Sequence, residues 1–144
     1  MGISRIHLII LIATLFLVSS CSKDEKEEEK VYLEVTDIDL QDIGRTTDQY
    51  TFETESIDDN VQKCKIRTRW IKKDDEIDFI KVFVQGNYLQ IDITSYPFDW
   101  ANTDINSYTV HDLSFNLTGL KKGSYRVYTN VNGNERKEFQ YQIE

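Results

Sequence analysis

"KCKIRTRW" occupies residues 63–70, and its phase decides the fold. Cys64, Ile66, Thr68 and Trp70 fall on one side of a two-residue repeat. Lys63, Lys65, Arg67 and Arg69 fall on the other. Alternation of this kind marks a strand with one buried face, whereas a helix would spread both sets around its axis. Working outward, Val31, Leu33 and Val35 alternate in the same way, as do Leu89, Ile91 and Ile93. Tyr50 and Phe52 face one side, with Thr51, Glu53 and Glu55 on the other. Ile77 to Val84 is apolar on both sides apart from Asp78 and Lys81, which predicts a central strand. No sustained helical spacing occurs from residue 31 onward. Gln85-Gly86-Asn87-Tyr88 and Asn132-Gly133-Asn134 supply residues that accept positive φ. The first predicts a hairpin between Val82–Val84 and Leu89–Ile93, and the second one between Tyr125–Val131 and Arg136–Ile143. The single proline, Pro97, falls in a loop. The expectation is an all-β fold: one antiparallel β-sandwich domain of about seven strands over residues 31–144.

Phe115 to Val127, "FNLTGLKKGSYRV", sharpens that expectation. It resembles the crossing between strands E and F of immunoglobulin-like and fibronectin type III domains. There a leucine precedes a tight turn, and a tyrosine opens the next strand as a tyrosine corner. Leu120 and Tyr125 are the matching positions. The resemblance implies that the Tyr125 hydroxyl bonds back to the turn while its ring is buried. The turn is shorter than in fibronectin modules and lacks their proline, which brings it closer to bacterial Ig-like domains.

The amino-terminal end has a different logic. Arg5 is the only charged side chain before Lys23, and Ile6 to Val18 has only His7 and Thr14 as polar residues. Thirteen residues reach only about 20 Å as a helix, short of the roughly 30 Å of a bilayer core. The run therefore fits the apolar core of a secretory signal over residues 1–20. Its exit, Val18-Ser19-Ser20-Cys21, resembles the lipobox of bacterial lipoproteins. That resemblance implies cleavage before Cys21 and acylation of its thiol, with the membrane as partner through the lipid. Two or three acyl chains hold durably where one holds marginally. Ser22 to Lys30 then carries five acids, three lysines and no apolar residue, so residues 21–30 read as a solvated tether. Lys23-Asp24-Glu25 and Glu27-Glu28-Glu29 are similar to the export signal of surface-exposed lipoproteins in some gram-negative bacteria. The implied location is the bacterial cell envelope, anchored to the outer membrane, with the domain facing either the cell surface or the periplasm, since the same acidic run serves equally as a plain spacer.

Composition narrows the function. Cleavage would leave 16 basic against 25 acidic side chains, a net −9 that opposes nucleic acid and anionic lipid. With Cys21 lipidated, Cys64 has no intrachain partner and reads as a small buried hydrophobe. One histidine and one cysteine in the folded part exclude a Cys/His zinc site. No cofactor and no metal are implied.

Two stretches are candidate ligand sites. Lys63, Lys65, Arg67 and Arg69 form a cationic row suited to an anionic glycan or an acidic protein. The competing reading is a solvated face whose cations oppose carboxylates such as Glu53 and Glu55. Tyr96, Phe98 and Trp100, with Tyr108, interleave with Asp99, Asn102, Asp104 and Asn106 in a loop. Rings stack on sugars and amides bond hydroxyls, but the same rings also suit the capping of a sandwich end. Catalysis has thin support. His111 and Asp112 are adjacent and would point to opposite faces of a strand, and no Gly-x-Ser-x-Gly elbow is present. Asp74-Asp75-Glu76 reads as a hydrated turn. The expected function is a lipid-anchored, noncatalytic binding or adhesion module for glycan or protein. A structural accessory subunit of an envelope assembly and a small hydrolase are the alternatives.

Overall fold

The computed structural model describes residues 28–44, 50–96, 108–133 and 135–143. Eight strands follow in chain order: β1 (Val31–Gly44), β2 (Thr51–Ser56), β3 (Val61–Lys72), β4 (Glu76–Gln85), β5 (Tyr88–Tyr96), β6 (Tyr108–Thr118), β7 (Gly123–Val131) and β8 (Glu135–Ile143). The fold is all-β, with eight strands where the sequence predicts about seven. Residues 1–20, read above as a signal peptide, lie outside the described residues, as do Cys21, Phe98 and Trp100.

The strands join in the order β2-β3-β6-β1-β4-β5-β7-β8. β1 is the fold line. Val31, Tyr32 and Leu33 pair with β4, while Glu34 to Gly44 pair with β6. The ribbon thus doubles back into two layers, β2-β3-β6-β1 and β1-β4-β5-β7-β8. The turn of direction has a local cause. A register shift falls between Thr36 and Asp39, and Asp37 sits at φ 51°. Such a bulge bends a strand and strengthens its twist, and aspartate tolerates the left-handed region better than most residues. The Asp37 carboxylate accepts from Asn116 Nδ2 at 2.6 Å, which holds the bend.

All pairings are antiparallel except one, since β5 and β7 run parallel. Parallel neighbours need a crossover. Here the chain leaves β5, traverses the other layer as β6, and returns as β7. Immunoglobulin constant domains place strands ABED in one layer and CFG in the other. This protein shares the sandwich architecture and has a strand order of its own.

Between the layers lies one core. Cys64, Ile66, Leu113, Phe115 and Leu117 come from one layer, and Leu89, Ile91, Ile93, Val127 and Val131 from the other. Each is essentially inaccessible to solvent. The inward phase read from "KCKIRTRW" holds through Thr68 and then breaks. A register shift between Thr68 and Ile71 makes Ile71 the buried residue and leaves Trp70 half-buried. The bulge adds a residue to one strand only, so every later side chain changes face.

The two edge strands are fastened across the open side. The Tyr141 hydroxyl on β8 accepts from the Thr54 N–H of β2 at 3.1 Å and lies 3.4 Å from the Thr54 carbonyl. The Phe52 ring meets Tyr141 edge-on at 5.2 Å. At the turn between β6 and β7, Leu120 is buried and the Tyr125 hydroxyl donates to the Lys121 carbonyl at 3.0 Å.

One end of the sandwich is tied by a buried polar cluster. Asn132, at φ 52°, donates from Nδ2 to the Trp70 carbonyl at 2.8 Å and to Ser95 Oγ at 3.0 Å. Its Oδ1 accepts from Ser95 N–H at 2.9 Å. Ser95 Oγ donates in turn to Asp75 at 3.0 Å. Asp75 is therefore buried, which corrects the reading of Asp74-Asp75-Glu76 as a wholly hydrated turn. The ends of β3 and β5, the start of β4 and the β7–β8 turn meet at this cluster.

Candidate functional site

The cationic row lies on the outer face of the β2-β3-β6-β1 layer, as alternation requires. Register places Glu53 opposite Lys65 and Glu55 opposite Lys63. Arg67 lies opposite Asp112 and forms a bidentate pair with it, at 2.7 Å from Nε and 2.8 Å from Nη2. That guanidinium, chiefly through its hydrogen bonds, holds the Asp112 carboxyl below the usual carboxylate range. A shallow depression of about 330 Å³ runs across this face, lined by Asp39, Glu53, Lys63, Lys65, Arg67 and Asp112. Cations and carboxylates share it. Arg69 departs from the row, because it falls in the β3 bulge and lies over the Trp70 ring at 5.4 Å. Of the four cations, three therefore line the charged face.

The aromatic loop is divided by the structure. Tyr96 ends β5 and is exposed, in the outward phase it shares with Tyr88, Gln90, Asp92 and Thr94. Tyr108 packs edge-on against Trp70, with ring centroids 5.8 Å apart. His111 and Asp112 point to opposite faces: His111 is buried and donates from Nδ1 to the Thr109 carbonyl at 3.2 Å, while Asp112 faces Arg67. Cys64 is fully buried, and burial pushes its thiol up to about 12.

The outer face of the β1-β4-β5-β7-β8 layer carries what the sequence reading passed over. Hydrogen-bonded register sets Tyr32, Phe83, Gln90, Tyr128 and Glu138 in one row across five strands. The next row is Gln85, Tyr88, Arg126 and Gln140, and on the far side Lys81, Asp92 and Asn130 align. Phe79 stands beyond, opposite Thr94. Tyr32, Phe79 and Tyr88 are 57%, 48% and 41% exposed, and Phe83 and Tyr128 are half-buried. Two ring pairs form: Tyr32 with Phe83 and Tyr88 with Tyr128, each with centroids 5.7 Å apart. Lys30, Lys81 and Arg126 lie over Phe83, Tyr32 and Tyr88 at 4.8, 4.9 and 5.8 Å.

Between the rings the polar groups are also ordered. Gln90 Nε2 donates to Asp92 Oδ1 at 2.7 Å, and Asn130 Nδ2 approaches the same oxygen at 3.3 Å. Asn130 Oδ1 is shielded from solvent and has no hydrogen-bond partner among the described residues. The signal for this face was present in the sequence. Phe79 and Phe83 made Ile77–Val84 apolar on both sides, and that strand is indeed flanked on each side, by β1 and β5. Its second apolar face is outward rather than covered.

No protein-family model, curated protein or solved structure matches this chain.

Proposed function

We propose that the protein is a lipid-anchored, noncatalytic binding module of the bacterial cell envelope, held by acyl chains on Cys21 and engaging glycan or protein through its ring-bearing face. One observation carries the binding part of this reading. Among the described residues six aromatic side chains, Tyr32, Phe79, Phe83, Tyr88, Tyr96 and Tyr128, stand on the outer side of a sheet in a small domain that fills its core without them. Contiguous exposed apolar surface of this kind marks interaction sites. Loss of ring area to water is unfavourable, and a ligand that covers it recovers that free energy. The anchoring part rests on the lipobox resemblance and on the uncharged, short apolar run before it.

The test places a photo-crosslinking residue at position 94, on the ring-bearing face, or at position 53, on the charged face, in cells that export the chain. The binding reading expects envelope material attached through position 94 and little through position 53. Equal yields at the two positions would remove it. Labelled palmitate incorporated into the native chain, and absent from Cys21→Ala, tests the anchor separately.

A further inference from the structure

We infer that the outer face of the β1-β4-β5-β7-β8 layer is a stacking platform for an extended, uncharged pyranose glycan, an inference that rests on the binding reading above. The chemistry of the rows selects this partner. A sugar ring presents a C–H face and a rim of hydroxyls, so its receptor needs aromatic faces alternating with hydrogen-bonding groups in the same plane. Tyr32 and Phe83 provide one such face, and Tyr88 with Tyr128 the other. Gln90 separates them in the shared row. Neighbouring strands lie about 4.8 Å apart, so Phe83 and Tyr128, two strands apart, are separated by roughly 10 Å, about two linked pyranose rings.

The polar groups fit hydroxyls rather than acyl chains or a hydrophobic protein patch. Gln85, Gln90, Asn130 and Gln140 are outward amides, and each offers donors and an acceptor. Asp92 is already held by two of them and is fixed in place as an acceptor. Charge excludes polyanions as the preferred form. Each cation of the face that lies over a ring is engaged by it, and the mature chain at net −9 repels acidic polymers at long range.

The experiment is affinity electrophoresis of residues 21–144 with Cys21→Ser, so that no lipid is attached. Native gels contain a soluble β-glucan, a xylan, an α-glucan or a polyuronate. The proposal expects retardation by at least one neutral polymer. Tyr88→Ala combined with Tyr128→Ala should weaken retention about ten-fold or more, in a domain that still unfolds cooperatively with its melting temperature lowered by only a few degrees. Tyr88→Phe should retain it, and Glu53→Ala with Lys65→Ala on the other face should leave it unaltered. Should the double alanine variant fold poorly, Phe83→Ala gives the same reading from the other ring pair. Retention by none of the polymers overturns the glycan assignment, as does stronger retention by polyuronate or retention indifferent to the rings. Ring-dependent capture by phosphatidylethanolamine vesicles or ring-dependent self-association would reassign the face to a membrane or to a second copy. The crosslinking comparison of positions 94 and 53 stands apart from these results, so loss of the glycan assignment leaves the broader binding reading to its own test.

Discussion

The two outer faces of this sandwich are built by the same alternation and end up chemically opposite. On the β2-β3-β6-β1 side the outward positions are charged and mutually opposed: Glu53 with Lys65, Glu55 with Lys63, and Arg67 clasped by Asp112. On the β1-β4-β5-β7-β8 side rings and amides predominate, with Lys81, Asp92, Arg126 and Glu138 among them. Water solvates the first face well, and what the charges gain from pairing is small. Water solvates the second poorly, so that face has free energy to release when it is covered. A row of cations is conspicuous in a sequence, yet an internally neutralised row has little left to offer a ligand.

Substitutions can break this comparison, and the largest effects belong between the layers. Phe115→Ala should destabilise the domain by about 3–5 kcal/mol, because the ring is fully enclosed and leaves a cavity. Tyr88→Ala should cost about 1 kcal/mol, since the residue is 41% exposed and its loss opens no enclosed cavity. Urea unfolding of the two variants measures the gap. A loss at Tyr88 near that at Phe115 would make the rings structural and end the contrast between the faces.

Chemical access gives a second large difference. With its thiol pushed up to about 12 and enclosed, Cys64 should resist a thiol reagent at pH 8 in the native state and react at once in denaturant. Native labelling within seconds would mean that the inward phase of β3 is wrong, and the outward row with it.

The Arg67–Asp112 pair predicts a smaller, pH-dependent effect. Asp112→Asn should cost about 1 kcal/mol at neutral pH, the upper end for exposed pairs, because the contact is bidentate. The folded carboxyl titrates below its unfolded value, so its contribution is present above about pH 4 and fades as pH falls through the folded pKa. Stability curves of native and Asp112→Asn protein should therefore run parallel from pH 8 to 5 and converge below about pH 4. Curves that stay parallel to pH 2 would show that the charges are not coupled. The smallest effect is expected at the turn: Tyr125→Phe loses one solvent-exposed hydrogen bond to Lys121, worth about 0.5 kcal/mol in the same urea titration.

Much of the architecture was legible because alternation is a local property. Cys64, Ile66, Leu89, Ile91 and Ile93 declare their buried side by spacing alone. Gly86, at φ 59°, and Asn132 with Gly133 announce two of the hairpins. Non-local facts were not legible. Nothing in Val31–Gly44 says that one strand will serve both layers, because that depends on partners far along the chain. Trp70 was misphased because a bulge leaves no composition signal in the strand that carries it. The ring-bearing face was missed for a physical reason. Apolar residues on both sides of Ile77–Val84 are equally consistent with a covered strand and with one whose second side awaits a ligand. Of the aromatic residues singled out in the loop, Tyr96 and Tyr108 fall within the described structure, Tyr96 on the outward phase of that same face and Tyr108 against Trp70.

β1 also has a mechanical meaning. The hydrophilic leader enters the fold at Val31, and within a few residues its strand is stitched first to β4 and then to β6. Any tug delivered along the leader arrives at the seam of the two layers and must strain both ladders together rather than peel one edge. Were the chain held at Cys21 as proposed, load on the domain would enter through a strand shared by both layers.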